Sequence, residues 1–304
     1  MFIKNALKVK NNLWRYGLGV LIIFIFTQLG SIPLIVAIFQ KVGLEGAAKL
    51  NPSNMMTVLE NNNLTFFYLL LSFVVGFIGF LIVIKFLHNQ SLKSVTTSRE
   101  STDFKRVFTA FISISAIILL NLLFSIYLNP DEYVFQFNLN DFVILFLIAI
   151  IFIPIQTSLE EYVFRGYIMQ GLGVFVKNRW FPLIFTSLSF GLLHLSNPEI
   201  DKIGNIIIIH YIVTGLFLGI ITLMDKGMEL ALGFHAGNNL LIALLVTADW
   251  TVFQTSSVFK YIGEPDVINQ TFFSLAVIYP LLLIYFSKKY QWTNWKEKLL
   301  GKIS

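Results

Sequence analysis

Long apolar runs alternate with short polar segments along the whole chain, and the polar segments hold most of the charged residues. Each run is close to the roughly 20 residues that an α-helix needs to cross about 30 Å of hydrocarbon. The pattern therefore predicts an all-α, polytopic integral membrane protein with about eight transmembrane helices. The eight runs are residues 17–39, 65–87, 107–128, 141–172, 180–197, 203–224, 228–247 and 271–287.

The composition also favours a membrane protein over a soluble domain. Of the 304 residues, 56% are hydrophobic and 13% are charged, whereas soluble domains carry about 25% charged residues. The chain has no cysteine, which excludes disulfides, thiolate metal sites and a cysteine nucleophile. We interpret the net charge of +5 as a report on membrane orientation, and no nucleic-acid partner is predicted.

The distribution of Lys and Arg predicts the orientation in the bilayer. With the N-terminus on the cytosolic side, 17 of these residues fall on cytosolic segments, and the opposite loops hold only Lys41, Lys49, Lys202 and Lys260. By the positive-inside rule this asymmetry favours an N-in, C-in topology. We therefore expect a multi-pass protein of the bacterial cytoplasmic (inner) membrane, in contact with the lipid bilayer, with an active-site cavity toward the cytosol.

The chain divides into three parts. Residues 1–130 would contribute three N-terminal spans, residues 141–247 a core of four spans that holds the polar motifs, and residues 248–304 a final span with a basic tail. The segment from Trp292 to Lys296 mixes aromatic and basic residues, which predicts either an interfacial helix or a solvated tail.

The fourth run contains Glu160, Glu161 and Arg165, ionisable groups that are costly in lipid and often mark function. Glu161 and Arg165 are four residues apart on a helix, so they can pair on one face. Glu160 points about 100° away and is the freer carboxylate, which suits a general base. A structural Glu–Arg clamp is the alternative interpretation. As one helix the run would be about 48 Å long, so it should kink at Pro154, tilt, or protrude into the cytosol.

Two later runs each carry a histidine in an i, i+4 pattern. Phe190 and His194 share one helix face, and Gly191 permits close approach of another helix. His235 and Asn239 share a face of the seventh run. A histidine alone could be a satisfied core residue, but the patterned positions argue against that for these two. The remaining histidines, for which no catalytic part is expected, are His88 and His210.

The three motifs together suggest a family. The sequence lacks the His-Glu-x-x-His zinc motif, the Gly-x-Ser-x-Gly elbow and the Gly-x-Gly-Asp motif of other proteases. With Glu-Glu-x-x-x-Arg, Phe-x-x-x-His and His-x-x-x-Asn in this order, it resembles the CPBP family of CaaX proteases and bacteriocin-processing enzymes. This family is also called Abi or type II CaaX prenyl endopeptidase-like. The resemblance covers roughly residues 141–247.

The resemblance implies a glutamate-dependent intramembrane endopeptidase. Glu160 would activate water that His194 helps to hold, while His235 and Asn239 would form the oxyanion-stabilising pair. Glu161 and Arg165 would orient the first motif. The implied catalytic set is therefore Glu160, Glu161, Arg165, His194, His235 and Asn239.

No cofactor is expected, because Asn is a poor zinc ligand and the Glu161–Arg165 pair withdraws one carboxylate from the donor set. The alternative is a zinc ion held by Glu160, His194 and His235. One feature fits poorly: Glu160 and His194 would lie about 24 and 21 Å from the cytosolic ends of their spans, but His235 only about 10 Å. Either the fourth and fifth helices protrude into the cytosol, or the predicted span boundaries differ from the real ones.

The expected partner is a membrane-associated peptide or protein substrate. The sequence specifies neither the identity and prenylation of that substrate nor the oligomeric state of the protein. A non-enzymatic membrane scaffold or bacteriocin-immunity protein is the first alternative, and the intact motif set argues against it. A proton-coupled transporter is the second alternative. That class predicts paired repeats and broken helices in both halves, whereas the motifs cluster in one half of this chain.

Overall fold

The computed structural model describes residues 2–50, 52–265 and 272–303, and it is a bundle of helices, as the apolar pattern predicts. Apolar runs become helices because a backbone in lipid must satisfy its hydrogen bonds within its own segment. The main α-helices are α1 Leu13–Ala47, α2 Asn62–Ile82, α3 Phe104–Leu128, α4 Leu139–Glu161, α5 Met169–Val176, α6 Trp180–Leu192, α7 Ile207–Asp225, α8 Glu229–Leu245, α9 Tyr279–Lys289 and α10 Trp295–Leu300. Shorter helical segments are Ile3–Lys8, Pro52–Met55, Val83–Leu87, Leu92–Thr96, Pro130–Glu132, Tyr162–Ile168, Leu193–Ser196, Glu199–Ile203 and Ser274–Ile278.

The predicted polytopic, all-α class is confirmed, while the number of eight spans stays a prediction. Two of the predicted spans correspond to shorter apolar helices, Trp180–Ser196 and Glu229–Leu245. The eighth run begins at residue 271, outside the described residues, and its later part forms the segment Ser274–Ile278 and α9. Among the described residues, five segments are long and apolar enough to cross a membrane: Leu13–Ala47, Asn62–Leu87, Phe104–Leu128, Leu139–Val176 and Ile207–Asp225.

A small sheet, which the apolar pattern does not predict, joins loops at one end of the bundle. Its strands are β1 Tyr133–Phe135, β2 Val246–Thr247 and β3 Phe259–Tyr261, in the spatial order β1–β3–β2. β1 is antiparallel to β3, with Val134 opposite Lys260, and β2 is parallel to β3. Because β1 precedes α4 and β2 follows α8, the sheet ties together the ends of two motif-bearing helices.

The motif-bearing helices pack closely against their neighbours. α4 packs against α2 and α8, α8 also packs along α3, and α6 packs along α7. A Cβ on Gly237 of α8 would lie 2.9 Å from the Phe111 carbonyl oxygen of α3. A Cβ on Gly191 of α6 would lie 2.9 Å from the Ile212 backbone nitrogen of α7. The predicted close approach at Gly191 is therefore confirmed, and a side chain there would push α6 away from α7.

The chain termini cover α5 and the start of α6. Gly173 of α5 packs against Ile3 and Ile303. Asn178, in the turn before α6, forms a β-bridge with Lys302. Both termini lie on the predicted cytosolic side. These contacts place the segments at both ends of the chain against the helices that carry the first two motifs.

The C-terminal tail contains the helix α10, which begins at Trp295, and its location at the membrane interface stays a prediction. α10 packs against α6 and α7. Just before it, the buried Trp292 donates a hydrogen bond from Nε1 to Asp225 Oδ1 at 3.1 Å. Within α10, Lys298 Nζ donates to the Met224 carbonyl oxygen at 3.2 Å. These bonds fasten the tail to the end of α7.

His88 is fully buried, although its position at a predicted cytosolic boundary suggested no part for it. Its Nδ1 lies 2.7 Å from the Lys10 carbonyl oxygen, and its Nε2 lies 2.6 Å from the Tyr167 hydroxyl oxygen. The rings of Tyr16 and Tyr167 pack on the imidazole. This cluster joins the N-terminal segment to the end of the second span and to the segment Tyr162–Ile168.

The stability of the protein is expected to fall as the pH drops, in part through His88. Burial lowers the pKa of His88, and its bond to the Lys10 carbonyl opposes only part of that shift. The unfolded chain then binds the proton more tightly, so stability is lost as the pH falls below about 6.5, by up to about 1.4 kcal/mol per pH unit. Melting temperatures in detergent at several pH values, for wild type and His88→Gln, check this. Equal pH dependence in the two proteins would contradict it.

Candidate active site

The first motif lies where the fourth span changes its helical winding. α4 stays α-helical through Pro154 and ends at Glu161, and Tyr162–Ile168 form a π-helical segment before α5 begins. π-helical turns are rare and frequently occur at functional sites. The irregular winding therefore follows the two carboxylates and does not coincide with the proline, where a kink was one of the predicted outcomes.

Glu161 and Arg165 form the predicted ion pair. Arg165 Nη1 donates to Glu161 Oε1 at 2.8 Å, and both side chains are completely buried. Arg165 Nη2 also donates to the Gly215 carbonyl oxygen of α7 at 3.3 Å. The guanidinium carbon lies 4.4 Å from the centre of the Phe190 ring of α6. The pair is thus a clamp between helices, as the alternative interpretation of Glu161 proposed.

His235 of α8 meets both carboxylates. Its Nδ1 lies 2.8 Å from Glu161 Oε1, and its Nε2 lies 3.6 Å from Glu160 Oε2. An ionised carboxylate can only accept a hydrogen bond, so Nδ1 carries a proton directed at Glu161. The separation of 3.6 Å is too long for a direct hydrogen bond. Both Nε2 of His235 and Oε2 of Glu160 therefore remain available to a third group.

The amide of Gln156 holds the other oxygen of Glu160, and Asn239 in turn holds Gln156. Gln156 Nε2 donates to Glu160 Oε1 at 2.5 Å, and Gln156 Oε1 accepts from Asn239 Nδ2 at 3.2 Å. Asn239 Oδ1 accepts in turn from Asn238 Nδ2 at 3.1 Å. His235 and Asn239 both contact α4, so the prediction that they share one face of their helix is confirmed.

His194 lies just beyond α6, in the 3-10 turn Leu193–Ser196. Its Nδ1 lies 2.7 Å from the Phe190 carbonyl oxygen, so Nδ1 carries the proton and Nε2 presents a lone pair in the neutral form. The Tyr211 ring stacks on the imidazole, with 4.0 Å between centroids and 18° between planes. The Phe190 ring contacts His194 and His235 at centroid distances of 4.9 and 5.9 Å. Phe190 therefore joins the two histidines.

The three motifs converge, and their members differ in burial. The Phe190 ring contacts both His194 and His235, and His235 Nε2 lies 3.6 Å from Glu160 Oε2, so the three motifs meet in one site. Glu160, His194 and Asn239 keep partial exposure, and the Glu160 side chain is 18% exposed. Glu161 is completely buried. The partly exposed groups can meet water or a substrate, whereas Glu161 can only orient its neighbours.

The charges of the site can balance. Glu160 and Glu161 carry two negative charges when ionised, and Arg165 carries one positive charge. Because Nδ1 of His235 is directed at Glu161, a neutral His235 offers only a lone pair at Nε2. If His235 is an imidazolium, it also donates from Nε2, and the two positive and two negative charges of the cluster cancel. The site can therefore accept a proton at Glu160 and donate hydrogen bonds beside it.

The described residues are not arranged as a set of zinc ligands, and the expectation that no cofactor is bound stays a prediction. A catalytic zinc ion needs three protein ligands with donor atoms about 2.0–2.2 Å from the metal. Within residues 2–50, 52–265 and 272–303, no group of three or more His, Asp or Glu side chains is arranged to hold a metal ion. Glu160 and His235 approach each other, but His194 does not complete a ligand set with them.

Two residues of the site were missed by the sequence reasoning, Gln156 and Tyr211. Gln156 had a signal, because it is a polar residue four positions before Glu160 on the same face of an apolar helix. Tyr211 had none, since its contact with His194 joins two separate helices.

His210 was expected to be structural. Its Nδ1 is buried and has no hydrogen-bond partner within the described parts of the chain.

Comparison with known proteins agrees with the motifs. Residues 138–241, which contain all three motifs, match the model of the family described as Type II CAAX prenyl endopeptidase Rce1-like. The chain is 27% identical over 296 residues to "Uncharacterized protein YyaK" of Bacillus subtilis (strain 168), covering 92% of this chain and 94% of that protein. No solved structure matches the chain significantly. The family predicted from the motifs is thereby confirmed for residues 138–241.

Proposed function

We propose that this chain, whose residues 138–241 belong to the type II CAAX prenyl endopeptidase Rce1-like family, is an intramembrane endopeptidase that activates water with Glu160. The placement of Glu160 carries this proposal. Its carboxylate is partly exposed, its Oε1 accepts from Gln156, and its Oε2 faces His235 Nε2 at 3.6 Å. A carboxylate held in this way can take a proton from a bound molecule without losing its position.

Water activation would use two hydrogen-bond acceptors. Glu160 Oε2 and the lone pair on His194 Nε2 can each accept one hydrogen of a water molecule. As the water oxygen attacks the carbonyl carbon of the substrate, its proton moves to Glu160 and the new C–O bond forms. Glu160 then passes that proton to the leaving nitrogen as the C–N bond breaks, which returns the carboxylate to its starting state.

Stabilisation of the oxyanion would fall to the third motif. His235 as an imidazolium donates from Nε2, and the second hydrogen on Asn239 Nδ2 is free of the bond to Gln156. Two donors aimed at the developing negative charge are the arrangement that acyl-transfer sites use. Glu161 and Arg165 touch no reacting atom in this scheme. They hold His235 and the helices around it.

The substrate class we propose is a membrane-associated peptide or protein. The test is cleavage of a panel of such peptides, with prenylated and unprenylated versions of each, by the purified protein in liposomes. Because the described residues provide only part of a zinc ligand set, cleavage is expected to persist in EDTA and 1,10-phenanthroline. Metal analysis of the same sample should find no stoichiometric zinc.

Mass spectrometry of the products decides the outcome. Cuts at defined peptide bonds that survive chelation support the proposal. Stoichiometric zinc that is lost together with cleavage would overturn the metal-free mechanism while keeping the protease activity. Failure to cleave any member of a broad panel by folded, inserted protein would favour the scaffold or immunity interpretation.

A further inference from the structure

Gln156 connects the two halves of the candidate site. It lies on α4, one turn before Glu160, and its side chain is almost fully buried, with 4% of the residue exposed. One end of its amide bonds to Glu160 and the other end bonds to Asn239, across a gap of 83 positions in the chain. No other described side chain bonds to both of these residues.

The chemistry of the partners sets the direction of the amide. A carboxylate only accepts, so the Gln156 NH2 group must face Glu160. Its carbonyl oxygen is then left for Asn239, which must present its own NH2 group. Asn238 completes the series by donating to Asn239 Oδ1 at 3.1 Å. Three amides thus donate in one direction toward Glu160, and aligned dipoles in such a partly buried series of hydrogen bonds strengthen one another.

This direction matters for Asn239 as an oxyanion donor. An asparagine amide that is free to turn over can present either its oxygen or its nitrogen to a substrate. The bond to Gln156 Oε1 holds the nitrogen of Asn239 on the side that faces α4. An oxygen in that position would repel a developing oxyanion. The same bond series fixes Glu160 Oε1, so that Oε2 is left facing His235 at 3.6 Å.

We propose that Gln156 is a positioning residue that sets the orientation of the Glu160 carboxylate and of the Asn239 amide together. This inference rests on the proposed function of Glu160 and extends it to a residue outside the three motifs. Gln156 itself touches no reacting atom. Its effect is to make the base and the oxyanion donor one coupled unit.

The test compares Gln156→Leu with a matched control, Gln170→Leu. Gln170 is also buried, lies farther along the same span, and bonds to Gln90 and to the carbonyl oxygen of Val95. Gln156→Leu removes two side-chain hydrogen bonds, and Gln170→Leu removes three, the third being the bond to the carbonyl oxygen of Ser94. Both changes should therefore lower the melting temperature. Only Gln156→Leu should lower kcat of the folded protein, by about 10–100-fold with KM nearly unchanged, since misplaced groups cost rates of that order.

The variant Gln156→Glu changes the pH–rate profile in a way that a purely structural role of Gln156 would not. This variant keeps the size and the acceptor toward Asn239 but places a second carboxylate beside Glu160. Two adjacent carboxylates share a proton, so the acid limb of the pH–rate profile should move to higher pH. Gln170→Glu should leave the profile in place. A kcat and a pH profile for both Gln156 variants that match those of the Gln170 variants would overturn the proposal.

An infrared measurement separates this inference from the proposed function. The difference spectrum between wild type and Glu160→Gln isolates the carboxylate stretching band of Glu160. Removing the donor at 2.5 Å in Gln156→Leu should shift that band, and Gln170→Leu should not. A band that stays in place overturns the positioning of Glu160 by Gln156, even if cleavage depends on Glu160. A band that shifts while cleavage survives Glu160→Gln overturns the proposed function, and with it a catalytic effect of Gln156.

Discussion

Replacing Glu160 with glutamine is expected to lower the rate of peptide-bond cleavage by about 10²–10⁴-fold, because a general base contributes that much and an amide cannot take the proton. The folded state should survive the change. Glutamine has nearly the same size, and its carbonyl oxygen can still accept the bond from Gln156. The Glu160 side chain is partly exposed, and its replacement leaves the buried pair of Glu161 and Arg165 intact, so no buried charge loses its partner. Initial cleavage rates in liposomes, with melting temperatures of the same preparations, measure both effects.

The matched control for this variant is Glu45→Gln. Glu45 is an exposed glutamate near the end of α1, remote in sequence from the three motifs. The Glu45→Gln variant loses the same charge as Glu160→Gln, and it should cleave the substrate at the wild-type rate. Cleavage by Glu160→Gln at a rate within a few-fold of the control would show that another group is the base.

Replacing Arg165 with methionine is expected to lower the free energy of unfolding by about 3–5 kcal/mol, the usual cost of breaking a buried ion pair. Methionine fills part of the space but leaves Glu161 buried at 0% exposure without its cation. Glu161 Oε2 already has no hydrogen-bond partner within the described chain, so the carboxylate has little to replace the lost bond. The change also removes the bond to the Gly215 carbonyl and the contact over the Phe190 ring. Denaturant or thermal unfolding in detergent measures the loss.

Two controls separate the buried charge from a general effect of mutation. The double variant Glu161→Gln, Arg165→Met removes both charges and should recover part of the stability lost in Arg165→Met. Lys41→Met breaks the exposed pair between Lys41 and Glu60, whose side chains are 44% and 76% exposed, and should change stability by less than about 1 kcal/mol. An Arg165→Met protein that unfolds like wild type would show that the Glu161–Arg165 pair does not stabilise the fold.

Cleavage should fall in Arg165→Met as well, although Arg165 lies outside the reacting groups. Glu161 Oε1 accepts hydrogen bonds from both Arg165 and His235. Without the guanidinium, the Glu161 carboxylate can move, and His235 moves with it because it stays bonded to that carboxylate. The loss of stability and the loss of activity therefore have one cause, the freed carboxylate.

The sequence was sufficient wherever a contact depends on local helical geometry. The apolar runs predict the helices, because hydrocarbon forces a backbone to bond within its own segment. The i, i+4 spacing predicts the pairing of Glu161 with Arg165 and the shared face of His235 and Asn239, because both follow from 3.6 residues per turn. The order of the three motifs was enough to identify the family over residues 138–241.

The tertiary structure decided the contacts that join distant parts of the chain. Three such contacts are the hydrogen bond between Gln156 and Asn239, the hydrogen bond between His88 and Lys10, and the stacking of Tyr211 on His194. They depend on how separate segments pack together, and the periodicity within one helix carries no information about that packing. The contact between His235 and Glu160 was also decided by the tertiary structure, because the sequence placed the two residues at different distances from the cytosolic ends of their spans. By itself, then, the sequence determined the helices, the family and the candidate residues. Only the packing of α4, α6, α7 and α8 decided which of these side chains touch, since that depends on relative helix positions set by close contacts such as those at Gly191 and Gly237.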